Sequence, residues 1–281
     1  MAQNLYVVIA THDRPDLLKR TLESLAQCTQ PETYRATAVV ENGSKSGTEV
    51  IVRDHADALN ARYLFTPKAN KSYALNVALK HIDDGLIYFT DDDVRFHPEV
   101  LVRYAEAARG ISGGVYFGGP TEVDYEERPP DWLIPSLPHS AKGGEQDGDW
   151  EYALGFNWAA FATDVKGCGG FSEERGPGAG NIGQETDMQK QLEASGVEQQ
   201  FVDGARVWHY VPKERCNPQW LLRRYYRMGK GSVQEGWDVS GKWLGFNSWV
   251  WIELGRTDEQ KIQGRGIFAR RPASTGLFRA L

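Results

Sequence analysis

The stretch GLIYFTDDDVRFHP, residues 85–98, passes from an apolar and aromatic run straight into three consecutive aspartates, Asp91, Asp92 and Asp93. Unbroken apolar residues such as Leu86, Ile87, Tyr88 and Phe89 suit a strand buried on both faces, because successive side chains point to opposite sides of a sheet. Such strands belong to parallel sheets covered by helices, and there ligands bind beyond the carboxyl ends of the strands. The carboxylates therefore stand where a ligand would be met. A solvated acidic loop is the plainer reading, and the strongly apolar strand in front of it argues against it.

Working outward, LYVVIAT reads as a first strand, and RPDLLKRTLESLAQC as a helix with Leu17, Leu18, Leu22 and Leu25 at helical spacing and Pro15 near its start. YRATAVVENGS predicts a second strand and turn, SGTEVIVRDHADAL a second helix, ARYLFTP a third strand, KSYALNVALKHI a helix, and HPEVLVRYAEAAR a helix starting at proline. Strands alternating with helices of this length predict a parallel sheet with right-handed crossovers. Past residue 110 the rhythm breaks into dense Pro and Gly with short strands. WEYALGFNWAAFATDVKGCGGF predicts a strand and a short helix, and ETDMQKQLEAS an amphipathic helix. QQFVDGARVWHYVP predicts a strand with His209 at its end, and NPQWLLRRYYRMGKGSVQEGW begins as a basic aromatic helix. There are no internal repeats.

The 281 residues suit one main α/β unit, and 41% hydrophobic with 25% charged residues and a net charge of -6 is an ordinary globular composition with no nucleic-acid partner held by overall charge. Cys28, Cys168 and Cys216 show no Cys-x-x-Cys spacing, so neither a disulfide framework nor a cysteine zinc site is expected, and a reducing cytoplasm fits. The N-terminus lacks a basic segment ahead of a long apolar run, so export is not expected. No apolar stretch approaches the roughly 18 residues that span a bilayer, which leaves at most peripheral membrane association. The sequons at Asn42 and Asn70 read as chance.

Residues just after the predicted strands form the candidate site: Thr11, His12, Asp13 and Arg14, then Glu41, Asn42 and Gly43, then the three aspartates. Converging acids repel unless a cation sits between them. Hard carboxylate oxygens suit Mg²⁺ or Mn²⁺, which commonly bridge substrate phosphates.

Four segments, YVVIATHDRPDLLKRTLESL, VVENGS, KSYALN and IYFTDDDV, stand in the order and approximate spacing of the N-terminal half of family 2 glycosyltransferases, and the chain resembles that family of inverting enzymes with a GT-A fold. The resemblance implies a mostly parallel central sheet flanked by helices, with a smaller acceptor-side sheet. It also implies transfer of a sugar from a nucleotide-diphosphate sugar to a carbohydrate, lipid-linked or other hydroxyl acceptor, in polysaccharide, lipid-linked glycan or glycoconjugate synthesis. Its Asp-x-Asp motif would be Asp91 and Asp93, with Asp93 on the metal and Asp91 and Asp92 beside ribose and sugar. Glu41 would read the base, with Thr11 and Asp13 lining the nucleoside pocket and Arg14, Asn42 and Lys71 nearby on the donor. Glu41 replaces a more usual aspartate. The implied catalytic domain is 1–230, with a nucleotide-sugar-binding half at 1–110 and an acceptor-binding half at 111–230, followed by an extension at 231–281 of unassigned role.

The segment GFNWAAFATDVKGCGGFSEERGPGAGNIGQETDMQKQL resembles the family's acceptor side, and there Gln184 and Glu185 stand in place of Glu-Asp. Glu185 is then the expected general base, with Asp187 in reserve; helix capping by first-turn acids is the alternative. Gly178, Gly180 and Gly183 match Gly-x-Gly-x-x-Gly, but no apolar strand precedes them, so a flexible loop over the acceptor site is the better reading. His209 reads equally as a packed histidine or as a metal ligand. Arg223, Arg224, Arg227 and Lys230 form either a solvated helix face, a cationic partner for the leaving diphosphate, or a contact with anionic membrane. Trp132, Trp150 and Trp158 suit sugar stacking or the core. Two rivals are a sugar-phosphate nucleotidyltransferase, for which THDRPD lacks the glycine-rich basic loop, and a noncatalytic sugar-binding relative.

Overall fold

Strand β1 (Leu5–Thr11) sends Leu5, Val7 and Ile9 into one apolar cluster and Val8 and Ala10 into another. The chain is described by a computed structural model over residues 3–142, 152–179 and 183–234, with side chains through 226, and over the short strands at 242–243 and 246–247. Helix α1 (Pro15–Ala26) covers the first face of the sheet with Leu18, Leu22 and Leu25, and Pro15 opens it as expected, since its fixed φ and missing N–H suit a first turn. Strand β2 (Tyr34–Asn42) follows. The single helix expected next breaks in two, α2 (Thr48–Asp54) and α3 (Ala56–Leu59). At the break, the His55 ring Nδ1 lies 2.8 Å from the Ile51 carbonyl, the acceptor its own backbone N–H would otherwise use, and that N–H turns to Val52.

Strand β3 (Ala61–Thr66), helix α4 (Lys71–Leu79) and strand β4 (Leu86–Asp91) complete the N-terminal part. In β4, Leu86 and Tyr88 join the cluster under α1, and Ile87 and Phe89 join the one under α4. A short strand unforeseen in the sequence, β5 (Val94–Phe96), follows directly, so helix α5 (Val100–Ala107) begins past Pro98. Then come β6 (Val115–Gly118), β7 (Thr121–Tyr125), β8 (Trp158–Phe161), α6 (Ala162–Gly167) and α7 (Gln184–Ala194). The single strand expected around 199–211 is two, β9 (Glu198–Phe201) and β10 (Val207–Val211), before α8 (Pro218–Gln234).

The main sheet has seven strands in the order β3-β2-β1-β4-β8-β6-β9. β3, β2, β1 and β4 run parallel, and β8 is antiparallel to both β4 and β6. A second sheet, β5-β10-β7, pairs Val94 with His209 and Phe96 with Val207. His209 therefore sits in the middle of β10, not at a strand end as the sequence suggested. By packing, the described chain separates into two units, one within 1–124 and 143–210 and the other within 125–142 and 211–281. In the second unit, α8 buries Leu221, exposes Leu222, Arg223 and Tyr226, and carries Arg224 over the ring of Trp220. The side chains of Arg227 and Lys230, together with Trp150 and Gly180, lie outside the described residues, as does most of 231–281. Trp158 is core, stacked on Phe89 at 4.7 Å, whereas Trp132 is exposed.

Asn157, fully buried, ties these layers together. Its amide donates to the carbonyls of Pro120 (3.0 Å) and Ala205 (2.9 Å), and its oxygen accepts from Tyr88 (3.1 Å) and Tyr104 (2.9 Å). Asn157→Ala orphans those partners in a dry interior and should cost about 3 kcal/mol. Thermal melting should then fall by roughly 6–12 °C, and a drop of a degree or less would show that the hub is dispensable.

Candidate active site

Because β1 lies beside β4 and both run the same way, the loop after β1 meets the three aspartates. The Thr11 hydroxyl donates to Asp92 (2.7 Å), and the Arg14 guanidinium reaches Asp92 (3.3 Å) and Asp93 (3.1 Å). Thr21 of α1 donates to the Asp92 carbonyl and accepts from the Val94 N–H, fixing the turn between β4 and β5. Asp92 and Asp93 are buried. Burial, and next to it the charge of Asp93, push the Asp92 carboxyl up to about 6, against the pull of Arg14 and Thr11. Asp92, expected beside the donor, is bonded to Thr11 and Arg14 and helps hold the turn.

Asp91, partly exposed, pairs with Lys71 at the start of α4. Burial works against the Lys71 charge, but Asp91 and Glu185 outweigh it and hold the ammonium above its ordinary range. His209 Nε2 stands 3.4 Å from Asp93 Oδ1, with its ring stacked on Phe156 at 4.4 Å. Asp93 and His209, two of the three residues expected on a metal, are thus neighbours. Among the described residues, no group of three or more His, Cys, Asp or Glu side chains is arranged to hold an ion.

Glu41 is fully buried: Ser46 donates to one oxygen through both its N–H and its hydroxyl (2.7 Å each), and Tyr63 donates to the other (2.5 Å). Burial raises its carboxyl, and those hydrogen bonds overcome it, leaving the group below the usual range. The side chain expected to read a base is therefore enclosed, holding the loop after β2. Asn42 is buried too, its amide donating to the Thr11 carbonyl (2.8 Å). Asp13 is exposed and adopts a left-handed φ of 56°, which aspartate tolerates better than most residues. Tyr63 and Ser46 had no signal in the sequence, since their role appears only once β3 lies against β2.

Across α4 lies the segment after α6. Asn76 donates to the Phe171 carbonyl and accepts its N–H (2.8 Å each), Asn70 donates to the Glu173 carbonyl (2.8 Å), Ser72 to that of Arg175 (2.7 Å), and the Lys71 N–H to that of Pro177 (3.0 Å). Gly178, with φ of 88°, brings its backbone so close that an added Cβ would fall 1.9 Å from the Ala69 carbonyl oxygen. The described part of the expected flexible loop is thus strapped down, and its glycine serves close approach. Asp187 is committed to Arg175 (3.1 Å) and Gln191 (2.9 Å). Glu185, half-buried in the first turn of α7, keeps one oxygen, Oε2, buried without a hydrogen-bond partner among the described residues. The arrangement places a carboxylate able to take a proton on α7, opposite an acidic edge already met by two cations.

Comparison with known proteins fits this geometry. The model of the family described as glycosyl transferase family 2 matches residues 6–164. The succinoglycan biosynthesis protein ExoM of Rhizobium meliloti is 28% identical over 230 residues, covering 79% of this chain and 72% of that protein. Among solved structures, a mannosyltransferase from Pyrobaculum calidifontis in complex with GDP-Man and Mn2+ superimposes with a TM-score of 0.59 at 19% identity, over 85% of this chain and 65% of that one. S. aureus TarS in complex with UDP-GlcNAc gives 0.57 at 17% identity, over 82% and 66%. At those identities the structural likeness speaks for the fold, which is the GT-A arrangement expected from the sequence. The family match covers more than half of the 281 residues, and the chain belongs to glycosyl transferase family 2.

Proposed function

We propose that this protein transfers a sugar from a nucleotide-diphosphate sugar to an acceptor hydroxyl in one inverting displacement. The observation that carries the reading is the pairing of Lys71 with Asp91 on the acidic edge, together with Glu185 on α7, one of whose oxygens is buried without a hydrogen-bond partner among the described residues. One chain thus offers an acidic edge suited to a diphosphate and its cation, and an acid suited to an acceptor.

In this reading Glu185 takes the proton of the acceptor hydroxyl at its carboxylate oxygen, as that oxygen attacks the anomeric carbon from the face opposite the diphosphate. Asp187 stays with Arg175 and orders the helix start. Thr11, Asp13 and Asn42 border the nucleoside, Glu41 sets the pocket floor through Ser46 and Tyr63, and Arg14 and Lys71 meet phosphate oxygens. Asp91 and Asp93, with the His209 imidazole beside Asp93, would hold Mn²⁺ or Mg²⁺, whose preference for hard oxygen ligands their carboxylates meet. When bound it would stabilise charge on the leaving diphosphate. Residues 1–110 form the donor half and 111–230 the acceptor half, with 231–281 as an appendage.

The donor class is supported by the GDP-Man and UDP-GlcNAc complexes of the structural neighbours, and synthesis of a polysaccharide, lipid-linked glycan or other glycoconjugate by the succinoglycan relative. A cytoplasmic location, peripheral to the membrane where the acceptor is lipid-linked, accords with the absence, among the described residues, of any helix long and apolar enough to cross a membrane.

Nucleotide release from UDP-GlcNAc, UDP-glucose or GDP-mannose should be detectable with Mn²⁺ or Mg²⁺ and vanish in EDTA; no turnover with any donor and either ion would sink the reading. Glu185→Gln should lower kcat by about a thousandfold while leaving donor binding intact, and unchanged turnover would remove Glu185 as base. Asp93→Asn should raise the Mn²⁺ concentration for half-maximal rate by roughly tenfold or more, whereas an unshifted titration would place the ion elsewhere.

The raised Asp92 carboxyl carries its own test. In the metal-free fold it keeps its proton until about pH 6, above the ordinary 3.8, so ionisation on going to neutral pH costs stability. Asp92→Asn cannot ionise, and its melting temperature should rise relative to the wild type as pH is taken from 5 to 7.5 in EDTA. A difference that stays flat with pH would contradict this.

A further inference from the structure

Gly155 lies in the turn that leads into β8, and the Glu185 side chain fills the place where its own would be. A Cβ built on Gly155 would fall 2.7 Å from both Cγ and Cδ of Glu185 and 3.0 Å from Oε1. Real carbon atoms do not approach so closely, so one of the two must move. Gly155 is not among the residues with positive φ, so its backbone makes no demand for glycine. What the position supplies is room.

Both partners in this contact are fixed from elsewhere. The turn is closed by the Asn157 N–H on the Leu154 carbonyl (2.9 Å) and anchored by the buried Asn157 amide. Helix α7 is tied to the same turn by Gln189, fully buried, whose amide donates to the Ala153 carbonyl (3.0 Å). Gln189 stands four residues after Glu185, one helical turn along the same face, so the bond that docks Gln189 on Ala153 lays Glu185 on Gly155. In that seat Glu185 lies in the field of Lys71.

We infer that Gly155 is a positioning residue for Glu185: bare backbone at 155 gives the Glu185 side chain its seat, and any side chain there evicts it. The inference rests on the proposed role of Glu185 as base, but the contact itself is measurable apart from that role. Relieving the contact requires the Glu185 side chain to turn about its Cα–Cβ bond and leave the seat, a side-chain change that leaves the backbone path of both elements in place.

In the full chain, Gly155→Ala should lower kcat for nucleotide release from the donor that the wild type uses by roughly a hundredfold, leaving donor KM and the binding of UDP or GDP with Mn²⁺ unchanged. A merely structural glycine would not separate kcat from KM in this way. Melting temperatures supply a readout independent of activity. Gly155→Ala should cost about 3 °C with Glu185 present and nothing in a Glu185→Ala background, where the obstructing side chain is gone. An equal cost in both backgrounds, misfolding in both, or wild-type kcat in Gly155→Ala would overturn the inference. If Glu185→Gln keeps full turnover while the melting cycle still shows coupling, the base assignment fails and the seat stands.

Discussion

Three adjacent carboxylates at the mouth of a buried strand are tolerable only if opposite charge comes to them, because their repulsion is weakly screened away from bulk water. This chain brings the charge from two distant places: Arg14 follows β1, and Lys71 opens α4. Sheet order does the rest. β1 beside β4, both pointing the same way, delivers the loop after β1 to the turn after β4. The three acids then take different fates. Asp92 goes inside and clamps the turn to Thr11, Asp93 faces Arg14 and His209, and Asp91 stays nearest solvent with Lys71.

The parts of this architecture legible in the sequence are those written in local pattern. Runs such as YVVIA and LIYF announce strands buried on both faces, and Leu18, Leu22 and Leu25 announce the helix that covers them. The strands of the second sheet were harder to read. Val94, Arg95 and Phe96 are too few to show a period and take their conformation from pairing with a strand more than a hundred residues away. For the same reason His209 looked terminal when it is central. The break at His55 is a side chain competing for a backbone acceptor, which apolar spacing does not record.

In the site, residue type and order pointed to the acidic edge and to Glu185, but not to which oxygen atoms are already spent. Glu41 reads from sequence as a ligand at a strand end; only the approach of Tyr63 from β3 and Ser46 from the following loop shows its carboxylate enclosed. Asp187 reads as a reserve base, and its pairing with Arg175 appears only in three dimensions. Asn157, Gln189 and Gly155 carry no reactive group, and their roles follow only from three-dimensional neighbours that local sequence pattern does not record.

The strap between α4 and the segment at 171–178 has a consequence for how such a site can change. Asn70, Ser72 and Asn76 hold that segment by its carbonyls and by one N–H, and Lys71 does so through its own backbone. Main-chain groups are the same whatever side chain is attached. Most of the segment's side chains can therefore be exchanged while its path stays where α4 puts it. The fixed frame and the variable surface are carried by the same few residues, so the outer side chains can change without altering the hydrogen bonds beneath them.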